Sequence, residues 1–307
     1  MPARRKNKRK KKQLDIKVKI VKFIGIAILL ITTISLIGFF SSDGEWDTDK
    51  KISFVVNSDP EIVVTSIDPG SKEIYSVMIP AETQVEVARN LGQWKLGSVW
   101  DLGFNEGLEG LLLAETVTRH FYLPTYLYIE SQDTSFLEGN LLSAVRILLS
   151  PTASNIGRKD LLKIIRFTSS VKNPNRKAVD LKNTNYLTQK QLKGGGMGYI
   201  KTKDLDQRII APFSNDYISG TISIVKIINN SKNRLVSSDL GKVIEATGAK
   251  VAQVVNNEES QGNCMVSSKD VEIGEYYSKL FSCDYERSSN DNFDVVITLN
   301  QDFVDRY

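Results

Sequence analysis

Residues 52–79 read ISFVVNSDPEIVVTSIDPGSKEIYSVMI, and the organisation of the chain follows from this stretch. Ile52–Val56, Glu61–Ile67 and Ile74–Ile79 are short runs rich in β-branched side chains, and Asp68-Pro69-Gly70-Ser71 is a turn signal between the second and third. Runs of this kind, this close together, predict neighbouring strands of one sheet. Downstream the period changes. From Gly103 to His120, with Leu108, Leu111, Leu112 and Glu115 at three-to-four spacing, the pattern predicts a helix, and Pro124 marks its stop. Tyr126–Ile129 reads as a strand, Leu137–Leu149 as a helix ended by Pro151, and Asp160–Phe167 as a shorter helix. Alternating strands and helices predict an α/β (α+β) layered domain with a mixed sheet over residues 52–167.

Residues 168–218 are polar, basic and short of apolar periodicity, and are expected to form a surface loop and linker. The run Gly194-Gly-Gly-Met-Gly198 within them lacks the Gly-Lys-Ser/Thr ending of a phosphate loop, so it reads as flexible linker rather than nucleotide cradle. Residues 219–307 give a second pattern. Thr221–Ile228, Lys250–Val255, Asn263–Val266 and Phe293–Leu299 read as strands, and Leu235–Thr247 and Glu275–Phe281 as helices. That βαββαβ order predicts a small split-βαβ sandwich.

Upstream of the sheet the chain is of another kind. Residues 4–22 carry eleven Lys or Arg against the single acid Asp15, and Phe23–Phe40 then runs for eighteen residues without a charge. Such a run spans about 27 Å as a helix, close to the ~30 Å hydrocarbon core of a bilayer. We therefore expect a cytoplasmic basic tail (1–22), a transmembrane signal anchor (23–40), a polar spacer (41–51) and everything beyond outside the cytoplasm, because dense positive charge is held on the cytoplasmic side. A cleaved signal peptide is the competing reading, although Gly38-Phe39-Phe40-Ser41-Ser42 offers no small-x-small cleavage site.

The net charge of +4 conceals segregation: residues 1–22 sum to +10, residues 158–208 to +9 and the remainder to −15. Arg158, Lys172, Arg176 and Lys177 are the expected basic surface for an anionic membrane or polymer, with a solvated loop as the alternative. Beside the apolar run, the basic tail reads as an orientation signal, and no nucleic-acid partner is expected. Two cysteines, Cys264 and Cys283, in an exported segment predict a disulfide, with two buried thiols as the alternative. His120 is the only histidine, so Ser-His-Asp or Cys-His catalysis and His-rich zinc sites have little to build on, and a place near a helix C-terminus is its expected role.

Val77–Ile129, with Ile79-Pro-Ala-Glu-Thr83, Gly92-Gln-Trp-Lys-Leu-Gly97 and Leu123-Pro-Thr-Tyr-Leu-Tyr-Ile129, resembles the core of the LytR-CpsA-Psr family. Ile224-Val-Lys-Ile-Ile-Asn229 and Asp294-Val-Val-Ile-Thr-Leu-Asn-Gln-Asp-Phe303 resemble the separate LytR C-terminal domain. The resemblance implies a bacterial, membrane-anchored cell-envelope protein that moves glycopolymers from a polyprenyl-pyrophosphate carrier to peptidoglycan. In that chemistry arginines hold the pyrophosphate and acidic residues hold Mg²⁺. Where the family has Pro-Arg-Asp-Thr, this chain has Pro80-Ala81-Glu82-Thr83; Asp59 is the one acid left in the preceding spacer, and Lys95 matches a family lysine. Arg158 and Arg166 are merely nearby basic residues. The expected cleft therefore comprises Lys95, Glu82 and Asp59, with no arginine at position 81. Losing a bidentate phosphate contact favours a binding or accessory module for lipid-linked or wall glycopolymer. The alternative is a divergent glycopolymer phosphotransferase using Mg²⁺. A third class is a structural partner of other envelope proteins, acting through the C-terminal sheet.

Overall fold

A computed structural model describes residues 46–131, 133–149, 153–192, 195–288 and 292–307, together with Lys22, Phe23, Gly25, Ile26 and Thr33. Those five are helical, but the expected anchor otherwise lies outside the described residues. Among the described residues no helix is long and apolar enough to cross a membrane. The chain forms two compact units, one of residues 1–45 with 157–160 and one of residues 46–156 with 161–307.

In the larger unit the first sheet is built on residues 52–80. β1 (Ile52–Asn57), β2 (Glu61–Asp68) and β3 (Glu73–Pro80) form an antiparallel meander, and β6 (Leu127–Glu130) and β7 (Arg176–Asp180) add parallel strands outside β1 and β3. Alternation along these strands divides their side chains between two cores. Val55, Ile62, Val64, Val77 and Ile79 face one, and Phe54, Val56, Val63, Ile67 and Ile74 the other. Each fully buried apolar side chain of this size stabilises the fold by roughly 1.5–3 kcal/mol, which is why strands covered on both faces are mostly apolar here.

The first core is closed by α1 (Val99–Asn105) and α2 (Leu111–Phe121), the second by α3 (Leu141–Leu149), α4 (Arg158–Ser170) and Trp46. The single helix expected over 103–120 is two. Leu108 and Glu109 donate their backbone N–H groups to the Gly103 carbonyl at 2.8 and 3.0 Å, and Gly107 and Glu109 take positive φ of 70° and 50°. Gly103 makes the turn possible, because a Cβ there would lie 2.0 Å from the Glu109 carbonyl oxygen. The helix expected over 137–149 begins instead at Leu141, after a 3-10 turn at Ser135–Glu138.

The expected loop over 168–218 holds three strands. Besides β7, β8 (Leu187–Gln191) and β9 (Met197–Lys201) form a hairpin, and β9 runs parallel to β4 (Thr83–Glu86), which pairs with β5 (Gln93–Lys95). These are peripheral strands with most side chains half-buried or exposed, so charge rather than apolar period fills them. Gly198 is part of this sheet rather than of a linker: a Cβ there would meet the Glu82 carbonyl oxygen at 2.6 Å. The short helices α5 (Gln207–Ile210) and α6 (Asp216–Thr221) follow, and between them Phe213 stacks edge-on against Tyr75 at 6.0 Å.

The remaining elements are β10 (Ile224–Asn229), α7 (Leu235–Ala246), β11 (Lys250–Asn256), β12 (Met265–Ser268), α8 (Val271–Phe281), β13 (Asp284–Arg287), β14 (Val295–Leu299) and α9 (Gln301–Arg306). The sheet order is β11-β10-β14-β12-β13. The βαββαβ sequence of elements is present with β13 inserted and α9 added, and β10 and β11 are direct parallel neighbours rather than split by a third strand. β13 was illegible because only Tyr285 of its four residues is even half-buried. Val225, Ile227, Leu240, Ile244 and Ile297 belong to the same core as β1–β3 and α2, so this region shares its interior with the first sheet.

Candidate functional site

The family-like motif lies where β3 gives way to β4. Ala81 is fixed by its backbone, donating to the Pro60 carbonyl at 3.0 Å and accepting from the Gly97 N–H at 2.9 Å. Its side chain abuts Gly97, where a Cβ would come within 2.8 Å of the Ala81 Cβ. Glu82 follows in the turn just before β4, and Lys95 ends β5 opposite Gln84. The two side chains meet as an ion pair, with 54% and 43% of their surfaces exposed. The turn into β9 passes close by, since a Cβ at Gly196 would stand 3.9 Å from Lys95 Nζ. Asp59 precedes the cis Asp59–Pro60 bond and is exposed; it is joined to this corner through the Pro60 carbonyl. The structure thus brings Glu82 and Lys95 into contact, while Asp59 is linked to them only through its neighbour Pro60, whose carbonyl takes the Ala81 N–H.

Two acids that no sequence signal singled out stand at the same end of the sheet. Burial raises the Glu61 pKa from its ordinary value and the Asp180 carboxylate raises it further, against a smaller opposing effect of Lys182. Asp180 lay in the stretch expected to be loop, so nothing in the sequence pointed to its placement beside β2 and β3. Among the described residues no group of three or more His, Cys, Asp or Glu side chains is placed to hold a metal ion.

The residues of the expected basic surface differ in their local surroundings. Arg158 is exposed, within the smaller unit, and Lys172 is exposed in the larger one. Lys177 pairs with Glu73 at 2.6 Å. Arg176 is not a surface cation: its guanidinium donates to the carbonyls of Leu137 and Thr168, and to that of Val171 at 2.7 Å. Burial lowers its pKa accordingly. Lys201 and Lys242 flank the Tyr122 ring at 5.0 and 4.9 Å and share Asp204 at 3.1 and 2.9 Å. Arg176 and Lys201 are therefore engaged within the fold.

Arginines gather elsewhere, at a junction between α2 and the C-terminal sheet. Arg89 Nε and Nη2 donate to the two Glu115 carboxylate oxygens at 2.7 and 2.8 Å, and Ser282 Oγ donates to Oε1 at 3.0 Å. Arg306 donates to the carbonyls of Phe281 at 2.8 Å and Ser282 at 2.9 Å, and to Asn263 Oδ1 at 2.9 Å. Arg119 reaches the Tyr307 carbonyl and lies 5.3 Å from that ring's centre. Cys264 and Cys283 form a disulfide beside this network, with their Cα atoms 4.9 Å apart. His120 sits one residue from the end of α2, and its pKa is lowered to about 4, first by burial and then by the charges of Lys201 and Arg119.

No family model matches the chain, and no curated protein matches it. Solved structures do. The Bacillus subtilis TagT structure matches 52% of this chain and 87% of its own length at 12% identity, with a TM-score of 0.36. The neighbours are LytR-CpsA-Psr proteins. The B. subtilis TagV structure matches 67% of this chain and 100% of its own at 11% identity, TM-score 0.37. A LytR-CPS2A-psr family protein, YwtF (TagT), with bound octaprenyl pyrophosphate lipid matches 52% and 87% at 14% identity, TM-score 0.34.

Proposed function

We propose that this chain is a single-pass protein of the cell membrane, with its N-terminus cytoplasmic and its bulk outside. There it serves as a binding or accessory module of the LytR-CpsA-Psr type for an anionic lipid-linked or wall glycopolymer. The observation that carries the binding part is the Glu82–Lys95 ion pair beside Ala81. A pyrophosphate carries about two or three negative charges, and a transferase needs several cations or a metal to stabilise them as the bond breaks. The corner offers one lysine that already has a counter-ion. A ligand anion can exchange with Glu82 for that lysine at the surface, where the exchange costs little. Catalysis asks for a dense, fixed positive field, and neither alanine at 81 nor the arginines already engaged at the junction provide it. The anchoring part rests on the basic tail and the uncharged run at 23–40.

The test uses the full chain in lipid nanodiscs, titrated with a polyprenyl pyrophosphate and with purified anionic wall polymer. Binding should weaken about tenfold in Lys95→Ala and strengthen in Ala81→Arg, a change of about 1.4 kcal/mol either way. Mg²⁺-dependent release of a lipid-pyrophosphate product by the unaltered chain would replace this reading by the transferase. A reporter fused after Tyr307 should be active only outside the cytoplasm.

A further inference from the structure

The helix α3 turns an apolar stripe outwards. Leu141, Leu142, Val145 and Leu149 are 66%, 83%, 51% and 79% exposed, and their spacing of one, three and four residues keeps them on one side of the helix. Single exposed leucines are ordinary, but four contiguous apolar residues on one face mark a surface that meets something apolar. The opposite side of the same helix is buried: Ala144 and Ile147 lie in the core that also holds Trp46. Trp46 is the first residue of the described fold after the uncharged run, which ends at Phe40. Six peptide steps reach at most about 20 Å when fully extended. The Trp46 end is pinned, its carbonyl accepting from Lys163 Nζ at 2.7 Å and its indole N–H donating to the Lys50 carbonyl at 2.8 Å. If the run at 23–40 is in a bilayer, the helix layer that holds Trp46 is tethered within reach of that bilayer's surface. Exposed Arg146 on α3 sets a cationic side chain beside the apolar stripe, the mixture that suits a lipid headgroup zone.

We infer that the outward face of α3 seats in the interfacial zone of the bilayer that holds the chain's own anchor, so that the extracytoplasmic unit lies against the membrane instead of swinging free. The inference rests on the proposed anchoring. A second copy covering the stripe is the rival occupant, and the test separates the two.

The full chain carrying Leu142→Trp is reconstituted into phosphatidylcholine–phosphatidylglycerol vesicles with bromines on the acyl chains, and flotation and tryptophan emission are read together. Val254→Trp, at a 45% exposed position of the C-terminal sheet, is the control. The floating Leu142→Trp chain should lose at least half of its added emission to the bromines, and the control less than a tenth. Adding Leu141→Glu and Leu149→Glu should remove the quenching while flotation persists. A chain that floats without quenching of the introduced tryptophan overturns the inference and leaves the anchoring intact. Blue-shifted but unquenched emission that grows with protein concentration overturns it in favour of a second copy. A chain that does not float overturns both readings.

Discussion

The corner at Glu82 and the junction at Glu115 each join a carboxylate to a cation, and they differ in everything around the pair. At the corner one lysine and one glutamate meet with about half of each side chain exposed. At the junction the Glu115 side chain is 10% exposed and takes two bonds from one arginine and a third from Ser282. Exposed pairs are worth little because water and salt compete for both partners, whereas pairs removed from water are costly to break. Of the two pairs, the one at the corner is therefore the one that solutes can compete with, and the arginines at the junction hold the fold together.

The sharpest way to break this contrast is to remove one carboxylate from each place. Glu115→Ala leaves Arg89 half-buried without its partner and should destabilise the full chain by about 3 kcal/mol in chemical denaturation, while Glu82→Ala should change stability by at most about 0.5 kcal/mol. Equal effects would erase the distinction.

Reducing the disulfide comes next. It closes a sequence separation of 19 residues and its half at Cys283 adjoins Ser282. Loss should amount to about 3 kcal/mol in the chain-entropy view, and hydrogen exchange should rise around residues 263–264 and 281–284 but not in β4 and β5.

A smaller effect belongs to His120, on the same helix as Glu115. Its folded pKa of about 4 lies below the ordinary value of 6.5. The folded state thus prefers the neutral ring, and the stability it contributes is complete above about pH 6.5 and is lost as pH falls towards 4. We expect about 2.5 kcal/mol across that window, absent in His120→Gln. As the only histidine, its imidazole signal in NMR can be followed without assignment, and a midpoint near 6.5 would refute the burial.

The smallest effect is at the corner itself. Lys95→Ala should leave stability within about 0.5 kcal/mol of the unaltered chain while weakening anion binding, a separation that a junction arginine such as Arg89→Ala should not show.

What the sequence made legible has a physical pattern. The β1–β3 meander was plain because its strands are buried on both faces and punctuated by Asp68-Pro69-Gly70-Ser71. The cysteine pairing was plain because only two cysteines exist. Glu82 and Lys95 were found together through a motif whose spacing is local. Strands β7–β9 escaped notice because peripheral strands carry charge in place of apolar alternation. The break between α1 and α2 escaped because it depends on Gly103 allowing a close backbone contact. Arg176 looked like a surface cation because its three carbonyl partners are set by the packing of separate segments. The Glu115 network joins residues 167 positions apart, a distance no periodicity reports.

The strand order of the first sheet also dictates a waiting time. β1–β3 can pair as soon as they are made, but the partner of β3's outer edge, β7, is roughly a hundred residues further along, some 5–20 s at ordinary rates of synthesis of 5–20 residues per second. Throughout that interval a three-stranded ribbon, apolar on both faces, stands with its open backbone groups available to any passing extended chain. A chaperone that masks residues 73–80 until residue 180 has been made would therefore raise the yield of folded protein.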